Sequence, residues 1–114
     1  MADYQKILRQ LKSEYGAISS AIVARDGTLI AGDIQAGVHP ETLTIMCATI
    51  MGAAVMTNSE LKIGQPKLIT ITSDKHETLV AGVGSNKIIV TIVPRSANIE
   101  LLQQLLIKGI ESMD

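Results

Sequence analysis

The side chains that could perform acid–base or nucleophilic chemistry are few in this chain. His39 and His76 are the only histidines, and neither stands near acidic or thiol residues at a spacing that suits a metal ion. Cys47 is the only cysteine and lies within an apolar segment, where a cysteine usually behaves as a small hydrophobic residue. A nucleophilic cysteine would need a nearby base and some exposure. We therefore predict no catalytic residue, no metal site and no cofactor.

Residues 82–87, with the sequence GVGSNK, are the nearest approach to a phosphate-binding loop. Such a loop delivers its ligand to the N-terminus of a helix, whereas these glycines join two predicted strands. The Gly-Lys-Ser/Thr ending of the Walker pattern is also missing, so we predict a hairpin turn. Arg25 and Arg95 suit an arginine finger by residue type, but their positions beside turns favour ordinary surface residues.

Composition excludes several classes of binding protein. The net charge is −1 and the lysines are scattered, which argues against a basic face for nucleic acid or anionic membrane. The chain has no Phe, no Trp and two Tyr, so aromatic platforms for bases or sugars are not expected.

The same composition points to a cytoplasmic protein. A single cysteine cannot form an internal disulfide, which favours a reducing compartment. The N-terminus does not resemble a signal peptide, because Asp3, Lys6 and Arg9 are charged. The longest apolar run, residues 45–56, is shorter than the ~18–20 residues of a membrane span, so we expect no contact with a membrane.

The elements that would position these residues follow from periodicity and from turn signals. The 114 residues fit one domain, residues 1–114. Apolar residues at helical spacing predict three helices. The first helix runs from Tyr4 to Tyr15, with Asp3 as its N-terminal cap and Gly16 at its end. The second runs from Pro40 to about Leu61, and Gly64 and Pro66 end it. The third begins after a cap at Ser96 or Asn98, and its apolar residues are Ile99, Leu102, Leu105, Leu106, Ile110 and Met113.

Five strands are predicted at residues 17–24, 28–31, 67–73, 78–83 and 88–93. Asp26-Gly27 predicts a two-residue hairpin turn between the first two strands. Every direct link between strands is short, so the sheet should be antiparallel. The last strand is apolar on both faces, and both faces must therefore be covered. The order α-β-β-α-β-β-β-α thus predicts an α/β (α+β) three-layer sandwich: a five-stranded antiparallel sheet with one helix on one face and two on the other.

The second helix is apolar or small almost all round, and only one of its sides can contact the sheet. The third strand, at residues 67–73, lacks charge and proline in its interior, so as an edge it would pair readily with another strand. We therefore predict a homodimer. Its interface is predicted to contain Met46, Cys47, Ile50, Ala53, Ala54, Thr57, Leu68, Ile69, Thr70, Ile71 and Thr72. The alternative is that the second helix is simply a core helix of a monomer.

Several sequence segments of this chain, in this order, resemble the roadblock / dynein light chain domain family. Residues 21–31, AIVARDGTLIA, look like the first hairpin of that family, with Gly27 at the glycine of its turn. The small-residue helix at 45–55, followed by Gly64 and a strand at Leu68, is similar to the family's dimerisation helix and edge strand. Residues 94–102, with Asn98 before the last helix, also resemble the family.

The resemblance implies the same sheet and helix layout, with dimers formed through the second helix and third strand. It further implies a regulator or scaffold of a small Ras-like GTPase, or a motor-complex light chain; the short chain looks more like free-standing prokaryotic members, which disfavours the motor role. It transfers no catalytic residue, so an enzyme is the least favoured class. The alternative from the residues is a small-ligand sensor domain with a pocket between sheet and helices.

Overall fold

The computed structural model describes residues 3–108, and its elements follow the predicted order. Ile110 and Met113, predicted for the last helix, lie outside the described residues. The elements are α1 (Tyr4–Tyr15), β1 (Ser19–Ala24), β2 (Leu29–Asp33), α2 (Pro40–Leu61), β3 (Leu68–Thr72), β4 (His76–Val83), β5 (Lys87–Pro94) and α3 (Ile99–Lys108).

The five strands form one antiparallel sheet in the order β2-β1-β5-β4-β3. Strand β5 therefore lies at the centre, and β2 and β3 form the two edges. Because successive side chains of a strand point to opposite faces, the register sorts the apolar residues into two sets. This arrangement confirms the predicted five-stranded antiparallel sheet.

The helices divide between the two faces as predicted. Helices α1 and α3 cover one face, and α2 covers the other. The first core layer is formed by Ile7, Leu8, Leu11, Tyr15, Leu102 and Leu106 of the helices against Ile22, Leu79, Ala81, Val83, Ile89 and Val93 of the strands. The second layer is smaller and brings Cys47 and Met51 of α2 against Ala21, Val23, Val80, Ile88 and Val90.

Three of the helix ends are capped by the residues that the sequence indicates. The Asp3 carboxylate accepts a hydrogen bond from the Lys6 backbone N–H at 3.0 Å, and Gly16 ends α1 in the left-handed conformation. Of the two candidates before α3, Asn98 is the cap, since its Oδ1 accepts from Leu101 N–H at 3.2 Å.

Helix α2 begins at Pro40 and ends at Leu61 as predicted, but it ends by a different device. Lys62 is the C-cap, in the left-handed conformation (φ 58°), and its N–H reaches the carbonyls at the end of the helix. Gly64, also at positive φ (93°), lies two residues further on. His39 occupies the N-cap position, but its side chain makes no capping hydrogen bond.

The first hairpin differs from the predicted two-residue turn. Gly27 N–H donates to Ala24 O at 2.9 Å and Ala24 N–H donates to Thr28 O at 2.8 Å, so the loop has three residues with Gly27 at positive φ. The Asp26 carboxylate accepts a hydrogen bond from Thr28 N–H, which lowers the pKa of Asp26 below its usual range. Strand β2 consequently starts at Leu29 and runs on to Asp33.

Candidate functional site

The outer side of α2 carries large apolar side chains that the described residues leave uncovered. Only Thr44, Cys47 and Met51 of this helix are buried, so one narrow side packs against the sheet. Four large apolar side chains on the rest of the helix are open to solvent: Ile45 is 56% exposed, Met46 59%, Met56 74% and Leu61 60%. Contiguous exposed apolar surface of this kind is typical of an interaction site.

By length and composition alone, α2 is apolar enough to cross a membrane. The prediction considered only the uninterrupted apolar run at residues 45–56, which is shorter than a span, and not the mean hydropathy of the whole 22-residue helix. In the structure one side of α2 lies against the sheet and the remaining sides lie at the surface. Helix α2 thus carries more apolar surface than its contacts within residues 3–108 cover.

The β3 edge is unguarded, and its Ile69 packs against the core layer that α2 covers. Within residues 3–108, β3 pairs with β4 alone, and its interior carries neither charge nor proline. Thr70 and Thr72 take part in side-chain hydrogen bonds with Gln103 of α3 and with Glu77 of β4. Ile69 and Ile71 alternate with these threonines and therefore point to the α2 face, where Ile71 is exposed.

The predicted interface residues on α2 do not all lie on one side of the helix. Met46, Ala53 and Thr57 are exposed, while Ile50 and Ala54 are half-buried along one flank. Thr57 uses its hydroxyl within the helix, donating to Ala53 O at 2.8 Å.

Cys47 was predicted to lie in the dimer interface, but the structure places its side chain on the inner side of α2. It is only 3% exposed and packs in the inner core layer, so its side chain does not belong to the outer surface. Burial also raises the pKa of the Cys47 thiol, which keeps the thiol protonated at neutral pH.

Sequence reasoning missed Ile45, Met56 and Leu61 as outer residues. Helical spacing groups Thr44, Cys47 and Met51 on one side, but in a helix that is apolar almost all round it does not indicate which side faces inward. A threonine on an inner side is not expected from polarity, but its hydroxyl donates to Glu41 O at 3.2 Å and so needs no water.

A second feature is a cleft of about 880 Å³ between α2 and the sheet. Arg25, which was assigned to an ordinary surface turn, lines this cleft together with Met51, Val55, Lys67 and Gly82. The site could not be recognised from the sequence, because Arg25 and Gly82 are brought together only by the sheet order.

The structure brings together no set of residues with recognisable catalytic geometry among residues 3–108. No group of three or more His, Cys, Asp or Glu side chains in that range could hold a metal ion. His39 and His76 are exposed and far apart in the sequence, at the start of α2 and of β4. Residues 82–87 form the β4–β5 hairpin and its turn, as predicted.

Comparison with known proteins supports the family suggested by the sequence. The family model for the Roadblock/LC7 domain matches residues 3–93. An uncharacterised protein from Methanocaldococcus jannaschii is 26% identical over 98 residues, which is 86% of this chain and 85% of that protein.

Solved structures show the same fold at low sequence identity. MglB from Myxococcus xanthus superposes with a TM-score of 0.81 at 20% identity, covering 93% of this chain and 89% of that one. A Roadblock/LC7 domain from Streptomyces avermitilis superposes with a TM-score of 0.80 at 15% identity, covering 94% and 93%. The chain belongs to the Roadblock/LC7 domain family.

Proposed function

We propose that this protein is a cytoplasmic, homodimeric interaction module that regulates or scaffolds a small Ras-like GTPase. The single observation that carries the dimer is the exposed outer side of α2 beside an unguarded β3 edge. Ile69 of β3 packs against the core layer that α2 covers, and the proposed two-fold contact joins both surfaces.

The register of the proposed strand pairing follows from the layering. Residues opposite each other in an antiparallel pair point to the same face, so pairing must join residues of the same parity if both α2 helices share one face. Centring the pair on Thr70 uses the full length of β3 and places Ile69 of one copy opposite Ile71 of the other. The result is a continuous ten-stranded sheet with two neighbouring α2 helices.

Burial of the outer side of α2 would be energetically significant. Full burial of a large apolar side chain contributes roughly 1.5–3 kcal/mol. Ile45, Met46, Met56 and Leu61 are 56–74% exposed, so covering them would contribute about 4–7 kcal/mol per copy. That amount is comparable with the net stability of a small domain, about 5–15 kcal/mol.

The GTPase partner is supported by membership of the Roadblock/LC7 family and not by a residue of this chain. The resemblance implies that such dimers act on Ras-like GTPases by docking and reorienting the GTPase's own residues. The surfaces that remain for docking are the exposed ends of the paired α2 helices and the nearby rims of the sheet. No side chain of this protein is assigned a chemical step.

The dimer is tested by the mass of the purified protein in solution. Wild type at micromolar concentration should have twice the mass of the chain by light scattering. Ala53→Arg places a charge on the outer side of α2 and should give a monomer. Gln104→Arg, an exposed position on α3, is the matched control and should remain dimeric. A monomeric wild type would contradict the proposal.

The partner is tested by affinity purification from the soluble fraction of the source organism. Wild type and Gln104→Arg should both retain a small P-loop GTPase, identified by mass spectrometry. Ala53→Arg should lose it, because the docking surface spans both copies. Direct binding of the purified GTPase, loaded with a GTP analogue, should follow the same order among the variants. Failure of the purified GTPase to bind wild type would contradict the partner, even if the dimer is confirmed.

A second function, small-ligand sensing, is favoured by one observation. The cleft between α2 and the sheet has mostly apolar walls and a few convergent polar groups, which is the usual composition of a ligand site. Its volume also falls within the range of roughly 300–1,000 Å³ that such sites occupy.

A further inference from the structure

The cleft lies between the C-terminal half of α2 and the end of the sheet where the β1–β2 and β4–β5 turns meet. Its apolar wall comes from Ala48, Met51, Val55 and Met56 of α2 and from Ile88 of β5. The opposite end is formed by Arg25 and by the backbone of the β4–β5 hairpin. One side of the cleft is thus apolar and the other end carries a guanidinium group.

Within the cleft, the Arg25 side chain lies close to the backbone of Gly82. Because β5 lies between β1 and β4, the side chain reaches across the end of β5 to arrive there. Arg25 Nη2 lies 2.8 Å from the position that a Cβ atom on Gly82 would take. Glycine at this position therefore leaves the space that the guanidinium fills, although its own backbone conformation does not require glycine.

The guanidinium is incompletely satisfied within residues 3–108. Nη2 donates to Gly84 O at 3.4 Å, a long contact, and the buried Nε has no hydrogen-bond partner in this part of the chain. The buried Nε is closed to solvent and therefore to a ligand. The donors open to an acceptor in the cleft are Nη1, which is not buried and makes no hydrogen bond within residues 3–108, and the weakly paired Nη2.

The charges of the residues that line the cleft indicate which kind of acceptor Arg25 would bind. Lys67 adds a second positive charge to the lining, and no Asp or Glu side chain of residues 3–108 lines the cleft. The two ion pairs among the described residues, Lys12–Asp33 and Arg95–Glu77, involve neither Arg25 nor Lys67. As far as residues 3–108 determine it, the cleft therefore combines positive charge that no carboxylate offsets with an apolar wall.

We propose that this cleft binds a small carboxylate whose apolar chain lies along α2. The planar guanidinium matches a carboxylate with two parallel hydrogen bonds, and Lys67 adds to the attraction. Met51, Val55 and Ile88 would contact the apolar chain. This site extends the second function proposed above, and it shares Met56 with the outer side of α2.

Hexanoate is a suitable probe, with 1-hexanol and hexylamine as matched neutral and cationic compounds. Titration followed by NMR of the Val55 and Ile88 methyl groups should show saturable shifts with hexanoate. Loss of a charge-assisted hydrogen bond predicts roughly 10- to 100-fold weaker binding of hexanol. Hexylamine should not bind. Equal binding of hexanoate and hexanol would overturn the proposal.

Three variants separate the guanidinium from a general effect on the fold. Arg25→Gln removes the charge and should weaken hexanoate by roughly 10- to 100-fold. Gly82→Ala keeps the charge but displaces Arg25, and should weaken hexanoate while the fold is retained, because only the end of a flexible side chain must move. Arg9→Gln, an exposed arginine of α1, is the control and should bind like wild type. Unchanged affinity in Arg25→Gln would overturn the proposal.

Other occupants give different results in the same experiment. Shifts with the peptide acetyl-Leu-Glu-Leu-amide but none with hexanoate would assign the cleft to an acidic protein segment and overturn a small ligand. Hexanoate binding only in a chain that stops at Lys108 would assign the cleft to residues 109–114 and would also overturn it. Light scattering of Arg25→Gln should still show a dimer, so failure here is distinct from failure of the dimer.

Discussion

Individual polar side chains inside the sheet are paired with one another. Ser20 and Thr91 are directly opposite on β1 and β5, and their hydroxyls lie 2.9 Å apart in a buried position. This pair lies on the face covered by α1 and α3, among apolar neighbours. Each hydroxyl therefore satisfies the other where no water is needed.

The hydroxyl pair predicts a non-additive response to mutation. Ser20→Ala should lower the free energy of unfolding by about 1–3 kcal/mol, because it leaves the Thr91 hydroxyl buried without a partner. Adding Thr91→Val should recover part of that loss, since both polar groups are then absent. Urea unfolding followed by circular dichroism measures both values. A double variant less stable than Ser20→Ala would contradict this account.

Residues with local roles could be predicted from the sequence, and residues with long-range roles could not. Asp3, Gly16 and Asn98 act within one helical turn, where residue type and position decide the hydrogen bond. Arg25 contacts residues almost 60 positions further along the chain, so its role depends on the order of strands. Cys47 was placed on the wrong side because polarity alone does not reveal which side of an apolar helix faces inward.

Among the elements, α2 has two sides of different character. Its inner side forms the smaller core layer with Met51 almost fully buried, and its outer side leaves Met56 exposed. The same residue type therefore occurs on both sides of one helix. This contrast separates the contribution of the protomer core from that of the outer surface.

The two methionines should respond differently to truncation. In the Ala53→Arg background, where the proposed dimer is absent, Met51→Ala should lower the free energy of unfolding by about 2–5 kcal/mol, because it leaves a cavity. Met56→Ala should change it by no more than about 0.5 kcal/mol. Chemical denaturation of each variant, compared with Ala53→Arg alone, gives the values. Equal losses would mean that the inner and outer sides are assigned incorrectly.

Element boundaries were predicted well where the stop signal was strong. Pro40 and Leu61 bound α2 as expected, but a lysine in the left-handed conformation at the end of a helix has no sequence signal. The first loop has three residues because its register places Thr28 O opposite Ala24 N. Asp-Gly indicated the turn, while the strand pairing determined its length.

For the whole molecule, the three-layer arrangement was predictable because the alternating residues of β5 are apolar on both faces. The residues alone did not indicate that β1 would lie beside β5, since face patterns do not identify neighbours. The cleft depends on that pairing and was therefore missed. The homodimer follows from apolar surface left uncovered, and it remains a prediction until the mass is measured.

The central position of β5 has a consequence for synthesis on the ribosome. β5 lies between β1 and β4, yet it is the last strand in the sequence. A nascent chain that ends at Asn86 contains two separate hairpins, so α2 does not yet have the complete five-stranded sheet to pack against. The most apolar helix of the protein therefore emerges well before its own support is complete. Until residues 87–94 have been translated, chaperone binding and aggregation compete for that helix.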